Sequence, residues 1–312
     1  MGPTFPIVRL EGQNLQRPAR PPAPALPNKG EGAQVAARLF HPVAPRLFSK
    51  ARMVRTGFNT PRLYVRAPLA EGAVLALSPE QSNYLVNVLR LGAGARVLVF
   101  NGGDGEYSAS LAAAARKGAA LSIGPQTRPQ EAPPDVDFLF APLKHARLDY
   151  MAQKAVEMGA ARLRPVVTRR TQVARLNLDR LEANAIEACE QCGVIWTPKV
   201  LPLEPLDRAL AQWPAQRLLV FCDEEAPLAD PLAALSEAGP SAGVGLLIGP
   251  EGGFDDKERA AILALPRVAR LSLGPRVLRA DTAAVAALAL VQSTLGDWSK
   301  RGDTVALSQP EA

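Results

Sequence analysis

The strongest constraint on how this chain can fold is an alternation. From residue 136 onward, apolar runs of strand length take turns with stretches of helical periodicity. The order is DFLFAPL, the helical HARLDYMAQKAVEMGA, LRPVVT, the helical LDRLEANAIEACEQCG, LLVFCDEE, LLIG, a helix over residues 255–265, RLSLG, and a last helix over 281–295. That order predicts an α/β domain with a largely parallel sheet. Two of the runs stop at Gly-Pro, in LLIGPEGGF (residues 246–254) and in LSLGPRVLRADTAA (271–284). Open sheets of this kind bind ligands beyond the carboxyl ends of their strands, so both breaks are candidate ligand loops. Their spacing matches neither G-x-G-x-x-G nor G-x-x-x-x-G-K-[ST], which argues against a phosphate loop and against a dinucleotide-dependent dehydrogenase.

The preceding segment is different in kind. From Arg62 it carries short apolar stretches separated by turns, with a predicted helix over SPEQSNYLVNVLRL and a hairpin signal at Asn101-Gly102-Gly103-Asp104-Gly105. A small, mainly β domain is expected over residues 61–128, and TRPQEAPPD (127–135) reads as the linker to a second domain over 135–300. Residues 1–60 hold nine prolines with no periodicity and are expected to be a disordered leader; Met53 offers an alternative start. Residues 301–312 form a short tail.

The net charge of +6 belongs to the leader, where nine Lys/Arg face two acids, leaving 27 basic against 28 acidic residues in the remainder. An RNA-binding reading of the folded part therefore rests on local clusters. Arg162, Arg164, Arg169, Arg170 and Arg175 form one, with no acid between the first and the last. Cys189, Cys192 and Cys222 are too few and too scattered for a disulfide framework. With His145 as the one further candidate ligand in the folded part, no metal site is expected, and Cys189 and Cys192 read as helix residues. No apolar run is long enough to span a bilayer, and no secretory signal opens the chain, so a cytosolic protein without a membrane partner is expected.

LLIGPEGGF followed by LSLGPRVLRADTAA resembles the paired C-terminal signature of the RsmE family, the SPOUT-superfamily methyltransferases that act on N3 of a uridine in 16S ribosomal RNA. QKAVEMGA, EACEQCG, RLYV and NYLVNVLRLGAG resemble further blocks of that family, over residues 61–297 in all. The resemblance implies a trefoil-knotted SPOUT-type α/β domain preceded by a small PUA-like or OB-like β-barrel that binds RNA. It also implies a homodimer, S-adenosylmethionine as methyl donor, and the small ribosomal subunit as partner.

On this resemblance the first loop holds the donor through Ile248, Gly249, Pro250, Glu251, Gly252 and Gly253. The second does so through Leu271, Leu273, Gly274, Leu278, Thr282 and Ala283. Glycine is expected where a side chain would occupy the ligand's space, Gly252 included. Arg279 and Asp281 are the catalytic candidates. Arg279 would stabilise negative charge spreading onto uracil O2 and O4, while Asp281 on local grounds reads as a helix N-cap, with Thr282 the alternative. RNA contacts would come from the arginine cluster and from Arg90 in LRLGAG. Three departures stand out: Asp281 replaces a glutamate, Arg169 an acid, and Val194 an arginine, with Trp196 nearby to stack on a base. A non-catalytic knotted ribosome-assembly factor, or a methyltransferase acting on another RNA nucleotide, is the alternative.

Overall fold

The computed structural model describes residues 60–113, 118–173, 175–227, 230–239 and 241–298, excepting the side chains of Ala113 and His145. The expected leader up to residue 59, with Met53, and the tail lie outside the described residues.

The first part is a five-stranded sheet built from β1 (Arg62–Tyr64), β2 (Val74–Ala76), β3 (Arg96–Phe100), β4 (Glu106–Ala113) and β5 (Ala120–Arg128). Its order is β1-β3-β4-β5-β2, with β1 parallel to β3 and the other pairs antiparallel. The Asn101–Gly105 turn joins β3 to β4 as its composition predicts. Asn101 Oδ1 accepts from the Gly103 and Asp104 amides, and Gly102 and Gly105 take φ of 83° and 89°, which an L side chain avoids. Alternate residues turn inward, Val97 and Val99 from β3 meeting Leu111 and Leu121 across the sheet.

The helix predicted in SPEQSNYLVNVLRL forms as α1 (Pro79–Asn83), continued by a π-helical turn over Tyr84–Val88. Ser78 and Gln81 close a capping box at its start. The wide turn, with Leu89 N bonding to Tyr84 O and Leu91 N to Leu85 O, brings Leu85 fully into the core. Arg90 then leaves at a φ of 57°. In addition, no ladder joins β1 to β2, so the expected barrel is open at that seam, and α1 lies across it with Gln81 Nε2 donating to Tyr64 O.

The second part is a parallel sheet of β6 (Val136–Phe140), β7 (Arg162–Val167), β8 (Lys199–Val200), β10 (Leu218–Cys222), β11 (Val244–Ile248) and β12 (Val268–Leu271), in the order β12-β10-β11-β6-β7-β8; β9 (Glu204–Pro205) pairs with the end of β7. A strand buried on both faces reads as an unbroken apolar run, as β11 does, whereas β6 carries the buried Asp137 within its apolar run. Phe138 and Phe140 point to the face covered by α2 (His145–Glu157), α3 (Leu178–Cys192), α5 (Pro231–Glu237) and α7 (Ala280–Thr294). Leu139, Leu219 and Leu247 point to the face covered by α4 (Leu206–Ala211) and α6 (Asp256–Leu263). Buried Gln292 ties α7 to the end of α2 by donating to Met158 O at 2.7 Å. β8, β9, α4 and α5 are too short to show a period in the sequence. No helix among the described residues is long and apolar enough to cross a membrane.

Candidate functional site

The chain leaves β10, β11 and β12 at the same end of the sheet, and the three exit segments enclose a cavity of about 510 Å³. Small-molecule sites commonly measure about 300–1,000 Å³.

The exit from β11 is the Gly-Pro-Glu-Gly-Gly loop. Gly253 N donates to Pro250 O at 2.9 Å, closing a tight turn, and Gly253 takes a φ of 68°. A Cβ on Gly249 would lie 2.6 Å from the Phe254 ring, which packs edge-on against Phe221. Glycine at 249 is thus required by protein packing. The loop is held from two sides, by Arg170 donating to Gly252 O at 2.6 Å and by an Arg147–Glu251 ion pair at 3.6 Å. Directly after it, Asp255 and Glu258 form the capping box that starts α6, and Glu258 also accepts from the Arg169 amide.

The exit from β10 contains a buried carboxylate, Asp223, on which Arg259 from α6 and Arg270 from β12 converge at 3.0 and 2.8 Å. Burial alone would raise its pKa. The hydrogen bonds from Arg259, the Glu225 amide and Arg270 outweigh that and hold it below the ordinary aspartate range. Asp223 therefore stays ionised and fixes the segment that carries Glu224 and Glu225. Glu225 pairs with Arg259, whereas Glu224, beside Gly253, has no ion pair among the described residues. Cys222 lines the same cavity with its thiol pushed up to about 12 by burial, which keeps it protonated and poorly nucleophilic.

The exit from β12 supplies aliphatic wall from Leu273 and Leu278, a left-handed Gly274 with φ of 95°, and a rim at which Arg276, Val277 and Arg279 are exposed. Neither Arg276 nor Arg279 makes a side-chain ion pair or hydrogen bond among the described residues. Two cations thus stand at the mouth, one of them at the N-terminus of α7.

Of the predicted donor-loop residues, Ile248, Gly249, Pro250, Glu251, Gly253, Leu271, Leu273, Gly274, Leu278 and Ala283 line the cavity, together with Arg279. Gly252 does not; a Cβ there would face the Arg170 stem at 3.4 Å. Asp281 and Thr282 also lie off the lining. Arg279, not Asp281, occupies the N-cap position of α7, and Asp281 sits in its first turn with Oδ1 accepting from the Thr282 amide. The Asp223–Ala226 segment and Arg259 belong to the cavity but escaped the sequence reading. The acidic CDEE directly after an apolar run was the available signal.

The arginine cluster is divided. Arg162 and Arg164 start β7 and turn to Asp135, Asp137 and Glu204. Arg169 and Arg170 follow its end, against the start of α6 and the β11 exit loop, and Arg175 is exposed beyond them. At about 3.3 Å per residue the two groups are roughly 20 Å apart. Trp196 is buried, with Cys189 Sγ 3.6 Å from its carbonyl, so its ring is not available to stack on a base.

A family model described as the RNA methyltransferase domain matches residues 130–292, and one described as the RNA methyltransferase PUA domain matches residues 77–124. Ribosomal RNA small subunit methyltransferase E of Synechocystis is 30% identical over 239 residues, which cover 75% of this chain and 78% of that protein. The protein of the same name from Rickettsia conorii is 26% identical over 232 residues, 74% of this chain and 94% of its own. Among solved structures, methyltransferase E of Neisseria gonorrhoeae bound to S-adenosyl methionine is similar at 29% identity and a TM-score of 0.67, covering 77% of this chain and 99% of that one. A Legionella pneumophila methyltransferase in complex with the same cofactor is similar at 30% identity and a TM-score of 0.66, over 76% and 99%. With the PUA-type segment and the methyltransferase segment in this order, and with similarity covering 78 to 99% of these relatives, the chain belongs to the ribosomal RNA small subunit methyltransferase E family.

Proposed function

We propose that this protein methylates N3 of a uridine in 16S ribosomal RNA of the small subunit, with S-adenosylmethionine as donor. The observation that carries the reading is the convergence of three strand exits on one cavity with two unpaired arginines at its mouth. The donor fits the residues present. Leu273, Leu278 and Ala283 offer an apolar wall for an adenine ring, and the unpaired Glu224 offers negative charge to a cationic ligand. When bound, S-adenosylmethionine supplies an electrophilic sulfonium methyl.

Backbone of Ile248–Glu251, Gly253 and Leu271–Leu278 would hold the donor, and the Arg170 and Arg147 contacts keep the first of these loops in place. Arg279 meets the uracil at the rim, where its permanent charge stabilises the anion that forms on O2 and O4 as N3 loses its proton. Arg169, Arg170, Arg175 and Arg90, all exposed, are the arginines left to meet RNA phosphates. A two-domain division at residues 61–128 and 135–300 is part of this reading, supported by the two sheets with a core cluster each, although Tyr64 and Phe100 of the first sheet pack into the core of the second.

A trefoil knot is part of this reading. Its support is the path of the chain after β12, which leaves the sheet edge, lines the cavity beside the β10 and β11 exits, and ends in α7 packed on α2 and β11 near the middle of the sheet. A homodimer is the second part, supported by the largely apolar α7, whose Val285, Ala286, Ala289 and Leu290 are only partly covered. A cytoplasmic location follows from the ribosomal substrate. The test is transfer of labelled methyl from S-adenosylmethionine to small subunits that lack the modification, followed by mapping of the product. Label on N3 of one uridine is expected; no incorporation, or label on another base, overturns the assignment.

A further inference from the structure

The two sheets are joined at the C-terminal end of α3, and a buried carboxylate stands behind the joint. Glu106, the first residue of β4, is only 3% exposed and accepts from Arg62 Nε at 3.1 Å and from Thr127 Oγ1 at 2.9 Å. Arg128 Nε lies 3.8 Å from its other oxygen and makes no hydrogen bond, so the ion pair is what that buried group has. Both arginines face α3. The Arg62 guanidinium lies against Gly193, the left-handed cap of the helix at φ 77°, and Arg128 Nη2 donates to Gly193 O at 2.8 Å. One turn back, Glu190 Oε1 accepts from the Tyr64 amide at 2.8 Å. Two cations at a helix C-terminus are favourably placed, since unpaired carbonyls and the helix dipole make that end negative.

The same helix packs on the parallel sheet whose β10, β11 and β12 exits enclose the cavity. α3 therefore connects the docking point of the N-terminal sheet with the sheet that carries the proposed donor site. A carboxylate buried between cations adds little stability relative to an apolar replacement, and here its contacts hold Arg62, Thr127 and Arg128 around one point.

We propose that Glu106 is a positioning residue: by fixing Arg62 and Arg128 on the end of α3, it sets the angle of the N-terminal sheet relative to the cavity, and so the fit of the RNA. This rests on the methyl-transfer reading above. Glu106→Gln keeps the shape and removes the charge. Expected in the full-length protein is a KM for small-subunit RNA raised about tenfold, with kcat and affinity for S-adenosylmethionine unchanged. Glu106→Asp, which keeps the charge, is expected to recover part of the loss. Amide hydrogen exchange supplies a second readout that does not depend on catalysis. The Tyr64 amide, bonded across the joint, should exchange faster in Glu106→Gln, while the Leu111 and Ile123 amides, bonded within the N-terminal sheet, should not. An unchanged KM, a parallel fall in kcat, or acceleration of all three amides together overturns the proposal. If the wild type transfers no methyl group the functional reading fails, and the Tyr64 exchange still decides whether Glu106 holds the joint.

Discussion

Two sets of arginines sit at opposite ends of one parallel sheet and in opposite states. At the amino ends of the strands, Arg162, Arg164 and Arg217 surround the buried Asp137, with Asp135 and Glu204 completing the set. Arg164 and Arg217 both lie against the Trp213 ring, at 5.5 and 5.6 Å, and their Nε groups are buried without hydrogen-bond partners. These cations are committed to the protein. At the carboxyl ends, Arg276 and Arg279 project from the rim of the cavity with no acid against them. Charge that the fold has not neutralised is available to a polyanion. Arg276 and Arg279 are thus set apart from the structural arginines by the partner that the tertiary structure withholds from them.

The sharpest way to break this contrast is to remove the acid at the structural end. Asp137→Asn leaves three buried or half-buried cations without their central carboxylate, and loss of one partner from such a cluster typically costs about 3 to 5 kcal/mol. Urea denaturation should show a loss of that size, while RNA affinity of the folded fraction stays unchanged. Altered RNA affinity at full stability would place Arg162 and Arg164 back in the RNA-binding set.

At the other end the effect should appear in rate. Arg279→Ala is expected to slow single-turnover methylation by about a hundred- to a thousandfold, some 2.7 to 4 kcal/mol in the barrier, with little change in stability. Arg279→Lys should recover only part of the rate, because an ammonium keeps the charge without the planar fork. A normal rate in Arg279→Ala removes it from the chemistry.

Arg170 lies between the two behaviours, exposed yet bonded to Gly252 O. Arg170→Met retains the stem that packs on Gly252 and loses the donor. Calorimetry should show S-adenosylmethionine bound about tenfold more weakly, the scale of one charge-assisted hydrogen bond. Weakened RNA binding with unchanged donor affinity would instead make Arg170 a phosphate contact.

Much of this molecule was legible along the chain because the relevant information is local. The alternation from residue 136 specified strands and helices one at a time, Asp255 with Glu258 announced the start of α6, and the glycines of 101–105 demanded a hairpin. The two Gly-Pro breaks likewise marked where β11 ends and where α7 is approached. What failed was what depends on neighbours far away in sequence. Arg162 and Arg169 look equivalent in a run without acids, but β7 carries one to Asp137 and the other to Asp255. Trp196 was expected to stack on a base and is buried. Nothing local marks Asp223 as a fixed charge, because the two arginines that make it one come from α6 and β12. Periodicity and turn chemistry are set by adjacent residues, whereas burial and charge pairing are set by whatever the sheet order places alongside, and for that reason only the tertiary structure decided which charges remained free.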